Sequence, residues 1–92
     1  MAHSLSARKR VRQSEKLHRY NHSMKSRLAT QLKKFHKVVE EGNPEAIARA
    51  VHDTHKMIDT VAGKGVIHRN TAARRKSLVS RRAKAAVVGS QG

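Results

Sequence analysis

Leu17, Tyr20, Met24, Leu28, Leu32, Phe35 and Val39 follow one another at steps of three and four residues. That spacing commits the first half of the chain to a helix with one apolar face. Upstream of Leu17 the series thins to Leu5 and Val11, while helix-favouring residues continue through Ala7, Arg8, Lys9, Arg10, Arg12, Gln13, Glu15 and Lys16. The first half of this helix therefore has nothing of its own domain to pack against. It is expected to project outward, frayed or disordered until a partner binds.

The first break is Glu41-Gly42-Asn43-Pro44-Glu45. Gly42 suits the left-handed position that closes one helix, Asn43 is an N-cap for the next, and Pro44 falls where its missing N–H costs nothing. Glu45 sits in the first turn, where the helix dipole favours a negative charge. The pattern predicts a tight helix–helix hairpin. The second helix carries Ile47, Ala50, Val51, Thr54, Ile58 and Val61 on one face and ends at Ala62-Gly63-Lys64-Gly65. The third begins between Val66 and Thr71 and runs toward Val88. Its stripe is ambiguous, because Leu78 and Val79 are adjacent and the rest is Ala72, Ala73, Ala83, Ala85 and Ala86. The fold class is all-α: a three-helix bundle with an elongated first helix whose N-terminal half projects. The predicted helices are 6–41, 44–62 and 67–88, with 89–92 an unstructured tail. The sequence carries no strand signal and no internal repeat.

Ninety-two residues make one small domain. The apolar share is 37%, but twelve of those 34 residues are Ala, leaving 22 larger side chains. That suffices for a thin helical core and not for the water-excluding cleft an enzyme needs. The absence of Cys excludes disulfides, thiolate nucleophiles and cysteine metal sites, and fits a reducing compartment. No apolar run approaches the ~20 residues that span a bilayer. The N-terminus lacks the apolar centre of a secretory signal, although a basic, acid-poor start can imitate an organelle transit peptide.

Charge decides the function class. Residues 1–37 hold eleven Lys and Arg against Glu15 alone, and residues 63–92 hold eight and no acid. Between them, Glu40, Glu41, Glu45, Asp53 and Asp59 outnumber Arg49 and Lys56. A compact chain of net charge +15 repels itself and calls for a polyanion. Nucleic acid fits best, because neutralising its dense phosphates releases counterions. A solvated charged face would mix signs, and these arms do not. Arg8, Lys9, Arg10, Arg12, Lys16, Arg19, Lys25, Arg27, Lys33, Lys34 and Lys37 surround the first helix, a rod on the order of 54 Å long. Tyr20 and Phe35 are its only aromatic residues and both fall on the apolar series, so no pair of rings forms a base-stacking platform. Recognition then rests on phosphates, sugar hydroxyls and the shape of folded RNA or a duplex, with Ser6, Gln13, Asn21, Ser23, Ser26, Thr30 and Asn70 adding polar contacts.

Other chemistries fail on inspection. His52, His55 and Asp59 share a helical face, but no fourth metal ligand accompanies them, and they read as exposed polar groups on the outer face of the second helix. His18 and His22 lack the Glu of the zinc protease motif, since Arg19 stands there. Gly63-Lys64-Gly65 imitates part of a phosphate loop, but the preceding Gly would fall on Ile58, and Gly65 replaces the hydroxyl residue. Arg74-Arg75-Lys76-Ser77 has the form of a kinase site and nothing further supports it. No nucleophile–base pair is present. No metal, cofactor or small-molecule substrate is expected.

Two segments carry a family resemblance. One is Ser6-Ala7-Arg8-Lys9-Arg10-Val11-Arg12-Gln13, continuing to Asn21, Lys25-Ser26, Thr30 and Lys33-Lys34. The other is Gly65-Val66-Ile67-His68-Arg69-Asn70-Thr71-Ala72-Ala73-Arg74-Arg75-Lys76-Ser77. With the Gly-Asn-Pro hairpin and the chain length, residues 5–85 resemble the bacterial small-subunit ribosomal protein family conventionally numbered twenty. The resemblance implies a three-helix bundle with an elongated first helix. It also implies a cytoplasmic, ribosome-bound monomer that contacts small-subunit rRNA and other small-subunit components. The RNA segments implied are the 5′ domain and the long penultimate helix of the 3′ minor domain. The implied RNA-binding residues on the first helix are Ser6, Arg8, Lys9, Arg10, Arg12, Gln13, Lys16, Arg19, Asn21, Lys25, Ser26, Arg27, Thr30, Lys33 and Lys34. In the second segment they are His68, Arg69, Asn70, Arg74, Arg75 and Lys76, and Lys64, Arg81 and Arg82 join the candidate set as further cations of the basic C-terminal region. Departures from the family are His3, Ser4 and Leu5, where Asn, Ile and Lys are common, and Leu78 and Val79 in the third helix. The rival reading is a nonspecific DNA-compacting or membrane-surface protein. The membrane version needs a wide apolar face, which residues 6–16 lack.

Overall fold

The computed structural model describes residues 5–91 as three helices: α1 (Leu5–Glu41), α2 (Pro44–Gly63) and α3 (Arg69–Gln91). No strand occurs among the described residues. The molecule is elongated, with principal extents of 67 × 21 × 16 Å. The family departures His3 and Ser4 lie outside the described residues, as does Gly92 at the end of the expected tail. Gly89 to Gln91, also expected to be unstructured, instead continue α3. Its start, Arg69, falls within the expected window of Val66 to Thr71.

The hairpin forms for the reasons its sequence gives. Gly42 has φ +76, and its N–H donates to the carbonyls of Val38 and Val39 at 3.3 and 3.2 Å. The Asn43 Oδ1 accepts from the Glu45 and Ala46 N–H groups at 3.0 and 3.3 Å. Loss of that cap in Asn43→Ala is expected to cost about 1 kcal/mol of stability in denaturant unfolding. The second turn is a Schellman motif. Gly65, again at φ +76, donates to the Ala62 carbonyl (2.9 Å), and Val66 donates to that of Val61 (3.1 Å). Val66 folds back onto the core.

That core consists of Met24, Leu28 and Phe35 from α1, Ile47, Ala50, Ile58 and Val61 from α2, and Ala72, Val79 and Ala83 from α3. The buried set resolves the register of α3: Ala72, Val79 and Ala83 face inward, while Leu78 is left exposed. Among the described residues Thr54 is the only buried polar one. Its hydroxyl donates to the Ala50 carbonyl (2.6 Å) and accepts from Gln31 Nε2 (3.3 Å), so nothing polar is stranded.

Two members of the apolar series depart from expectation. Leu17 and Tyr20 are exposed, and the core begins only at Met24. The reason is length. The 20 residues of α2 rise about 30 Å, so an antiparallel partner folded back from the hairpin ends near the level of residue 22 of α1. Beyond that level α1 runs alone, and every residue from Arg8 to Tyr20 is exposed. The arm is a continuous helix from Leu5. It is held by intrinsic propensity without a packed partner, and a helix of that size is marginal in water. In the free protein, amides 6–16 are expected to exchange much faster than amides 28–39. Equal protection would contradict this.

Candidate nucleic-acid interface

The cations occupy three zones. On the arm, Arg8, Lys9, Arg10 and Arg12 step round the helix at 100° per residue and spread charge over more than half of its circumference. Lys16 and Arg19 continue this to the point where the arm joins the bundle. Ser6 and Gln13 are exposed among them, and Asn21 is half-buried at the junction. Within the bundle α1 turns Met24, Leu28 and Phe35 inward, which leaves Lys25, Ser26, Arg27, Thr30, Lys33 and Lys34 outside. Ser26, Arg27, Thr30 and Lys34 line a shallow groove with Ser23, Gln31 and Met57. The Thr30 hydroxyl donates to the Ser26 carbonyl at 3.0 Å, leaving its oxygen as an acceptor toward solvent.

The third zone is Lys64 and the start of α3, where Arg69, Asn70, Arg74 and Arg75 are exposed. His68 has a local duty that its sequence did not reveal: its Nδ1 accepts from the Asn70 N–H at 3.1 Å, capping α3. The side-chain contacts also fix how the helices stand. Gln31 meets Thr54, His55 meets Ser80, and Asp59 meets Lys76. Helices α1 and α3 therefore run in the same direction, and the first turn of α3 stands near the level at which the arm leaves the bundle. The three cationic zones converge there.

Not every predicted cation is free. The Lys76 ammonium donates to Asp59 Oδ1 and Oδ2 at 3.0 and 3.3 Å. It is half-buried because residue 76 lies between Ala72 and Val79 on the inward stripe. His55 Nε2 lies 3.1 Å from the Lys76 carbonyl and 3.2 Å from the Ser80 hydroxyl. His55 is thus half-buried against α3 and not on the outer face of α2, as its spacing with His52 and Asp59 implied. Arg82 Nη1 lies 3.3 Å from His36 Nε2 and ties α3 to α1. Arg81 is exposed. Glu40, Glu41 and Glu45 are exposed around the hairpin, at the opposite end, while Asp53 and Asp59 are exposed along α2 and Glu15 on the arm. Among the described residues no group of three His, Asp or Glu side chains is placed to hold a metal ion, and no helix is long and apolar enough to cross a membrane.

This is a thin helical bundle with a polarised cationic surface. The class is confirmed by its relatives. The ribosomal protein S20 family model matches residues 2–84. Small ribosomal subunit protein bS20 of Halothermothrix orenii is 47% identical over 76 residues, covering 83% of this chain and 87% of its own. That of Acidithiobacillus ferrooxidans is 47% identical over 85 residues, covering 92% and 93%. The protein of the same name in Pectobacterium carotovorum is 44% identical over 82 residues. The chain belongs to the ribosomal protein S20 family. It is a family of structural ribosomal proteins, bound to the ribosome in the cytoplasm, and not of enzymes.

Proposed function

We propose that the chain binds small-subunit rRNA directly and supports its folding and assembly. The surfaces involved are α1 from Ser6 to Lys34 and the start of α3 from His68 to Arg75. The observation that carries this reading is the arm: from Arg8 to Tyr20 every side chain is exposed, and its cations leave the helix on more than one side. An unpacked rod of that kind has no use for its shape within its own fold. Between RNA helices it can neutralise phosphates on several sides at once, so that strands which repel one another approach. The 5′ domain and the long helix of the 3′ minor domain are the segments that the family resemblance implies. Lys76 and Arg82 contribute less directly, because each already has an intramolecular partner.

The test is binding to small-subunit rRNA at physiological salt with excess transfer RNA and duplex DNA as competitors. A saturable one-to-one complex that survives competition is expected. Binding that competitor abolishes would leave the nonspecific nucleic-acid-compacting alternative.

A further inference from the structure

Tyr20 occupies a place that its sequence spacing did not foretell. It continues the core stripe of α1, yet it is 42% exposed, because α2 and α3 end below it. Phe35, the other aromatic residue, is 0% exposed. Among the described residues the Tyr20 ring stacks on no other ring, and its hydroxyl has no hydrogen-bond partner. Leu17, one turn before it, is 60% exposed, so the two form a small apolar ledge at the root of the arm.

The surroundings of that ledge say what fits it. Residues three, four and seven positions away share a helix face. Around Tyr20 these are Gln13, Lys16, Leu17, Ser23 and Arg27, all exposed, and Met24, which turns into the core. The ledge is therefore an apolar patch with cations before and after it along the rod. A second copy of this chain would bring its own +15 charge against the first. Paired RNA presents phosphates and groove edges, and its base faces are covered by stacking. An unpaired nucleotide presents a flat apolar base with a phosphate on either side.

We propose that Tyr20 is a stacking platform for one unpaired nucleobase of the bound RNA, with Lys16 and Arg27 holding the flanking phosphates. The proposal rests on the rRNA-binding reading and adds to it a single-stranded contact in an otherwise phosphate- and shape-based interface. It needs one exposed ring, whereas the sheet-type platforms excluded from the sequence need several.

The experiment compares wild type, Tyr20→Phe, Tyr20→Leu and Tyr20→Ala for competitor-resistant binding to small-subunit rRNA, each at several salt concentrations. Tyr20→Phe is expected to keep wild-type affinity. Tyr20→Leu, which keeps apolar bulk without a π face, and Tyr20→Ala are expected to weaken binding by about 5- to 150-fold. The salt slope should be the same in all four, since no charge changes. Thermal unfolding of each variant confirms that the bundle is intact. The chain has one Tyr and no Trp, so its intrinsic emission reports on this ring alone and is expected to be quenched in the complex. Equal affinity for the Phe, Leu and Ala variants, with unquenched emission, would overturn the stacking proposal and leave rRNA binding standing. Failure of the wild type to resist competitor would overturn both.

Discussion

Phe35→Ala is expected to cost about 3–5 kcal/mol of folding stability, enough to unfold much of a small domain whose total is about 5–15 kcal/mol. Phe35 is the largest fully buried side chain and sits in the α1 face against which α2 packs. The remaining core around it is largely Ala, Val and Ile, which cannot reach across the space a ring leaves. Leu17→Ala, on the same apolar series, is expected to stay within about 0.5 kcal/mol of wild type, because Leu17 is already in water. Denaturant unfolding followed by helical circular dichroism measures both. Comparable losses would mean that the core extends further along α1 than Met24.

The second large effect concerns binding. Replacing Arg8, Lys9, Arg10 and Arg12 together by Gln should leave the bundle's unfolding midpoint unchanged, since all four are exposed on the arm. If each neutralises one phosphate, the slope of log affinity against log salt flattens by about 0.7–0.9 per residue, or roughly 3 in all. Affinity at physiological salt then falls by about two to three orders of magnitude. Arg49→Gln and Lys56→Gln on the exposed side of α2 serve as the comparison and are expected to change neither quantity appreciably. An arm variant that binds with the wild-type slope would remove the arm from the interface.

The hairpin was the most legible part of the fold. Gly42, Asn43 and Pro44 each admit few local conformations, and together they admit one. The face of α2 was legible for a related reason: Ile47, Ala50, Thr54, Ile58 and Val61 have no competing apolar residues on the opposite side. Helix α3 was not, because Ala on several faces and the Leu78–Val79 pair fit more than one register. Only packing against α2 decides that Val79 goes in and Leu78 stays out. Leu17 and Tyr20 read as core because periodicity records a face and not how far the partner helix reaches. The length of α2 was the available signal, since 20 residues cannot run back past residue 22 or so.

The candidate interface divides in the same way. Which cations the chain has, and that they cluster at its two ends, is plain in the sequence. Which of them are engaged inside the molecule depends on the α2–α3 register. Lys76 with Asp59 and Arg82 with His36 are separated by 17 and 46 residues, and neither pairing leaves a local pattern. The capping role of His68 did leave a trace, a polar side chain immediately before a helix start, but His is not a usual N-cap residue.

The most direct test of the central claim is a lysine acetylation footprint of the whole chain, free and in complex with small-subunit rRNA, read residue by residue by mass spectrometry. Lys9, Lys16, Lys25, Lys33, Lys34 and Lys64 are expected to lose reactivity in the complex, while Lys56 on α2 stays as reactive as in the free protein. Protection of Lys56 to the same degree as the arm lysines, or arm lysines that remain reactive in the complex, would contradict an interface built on α1 and the start of α3.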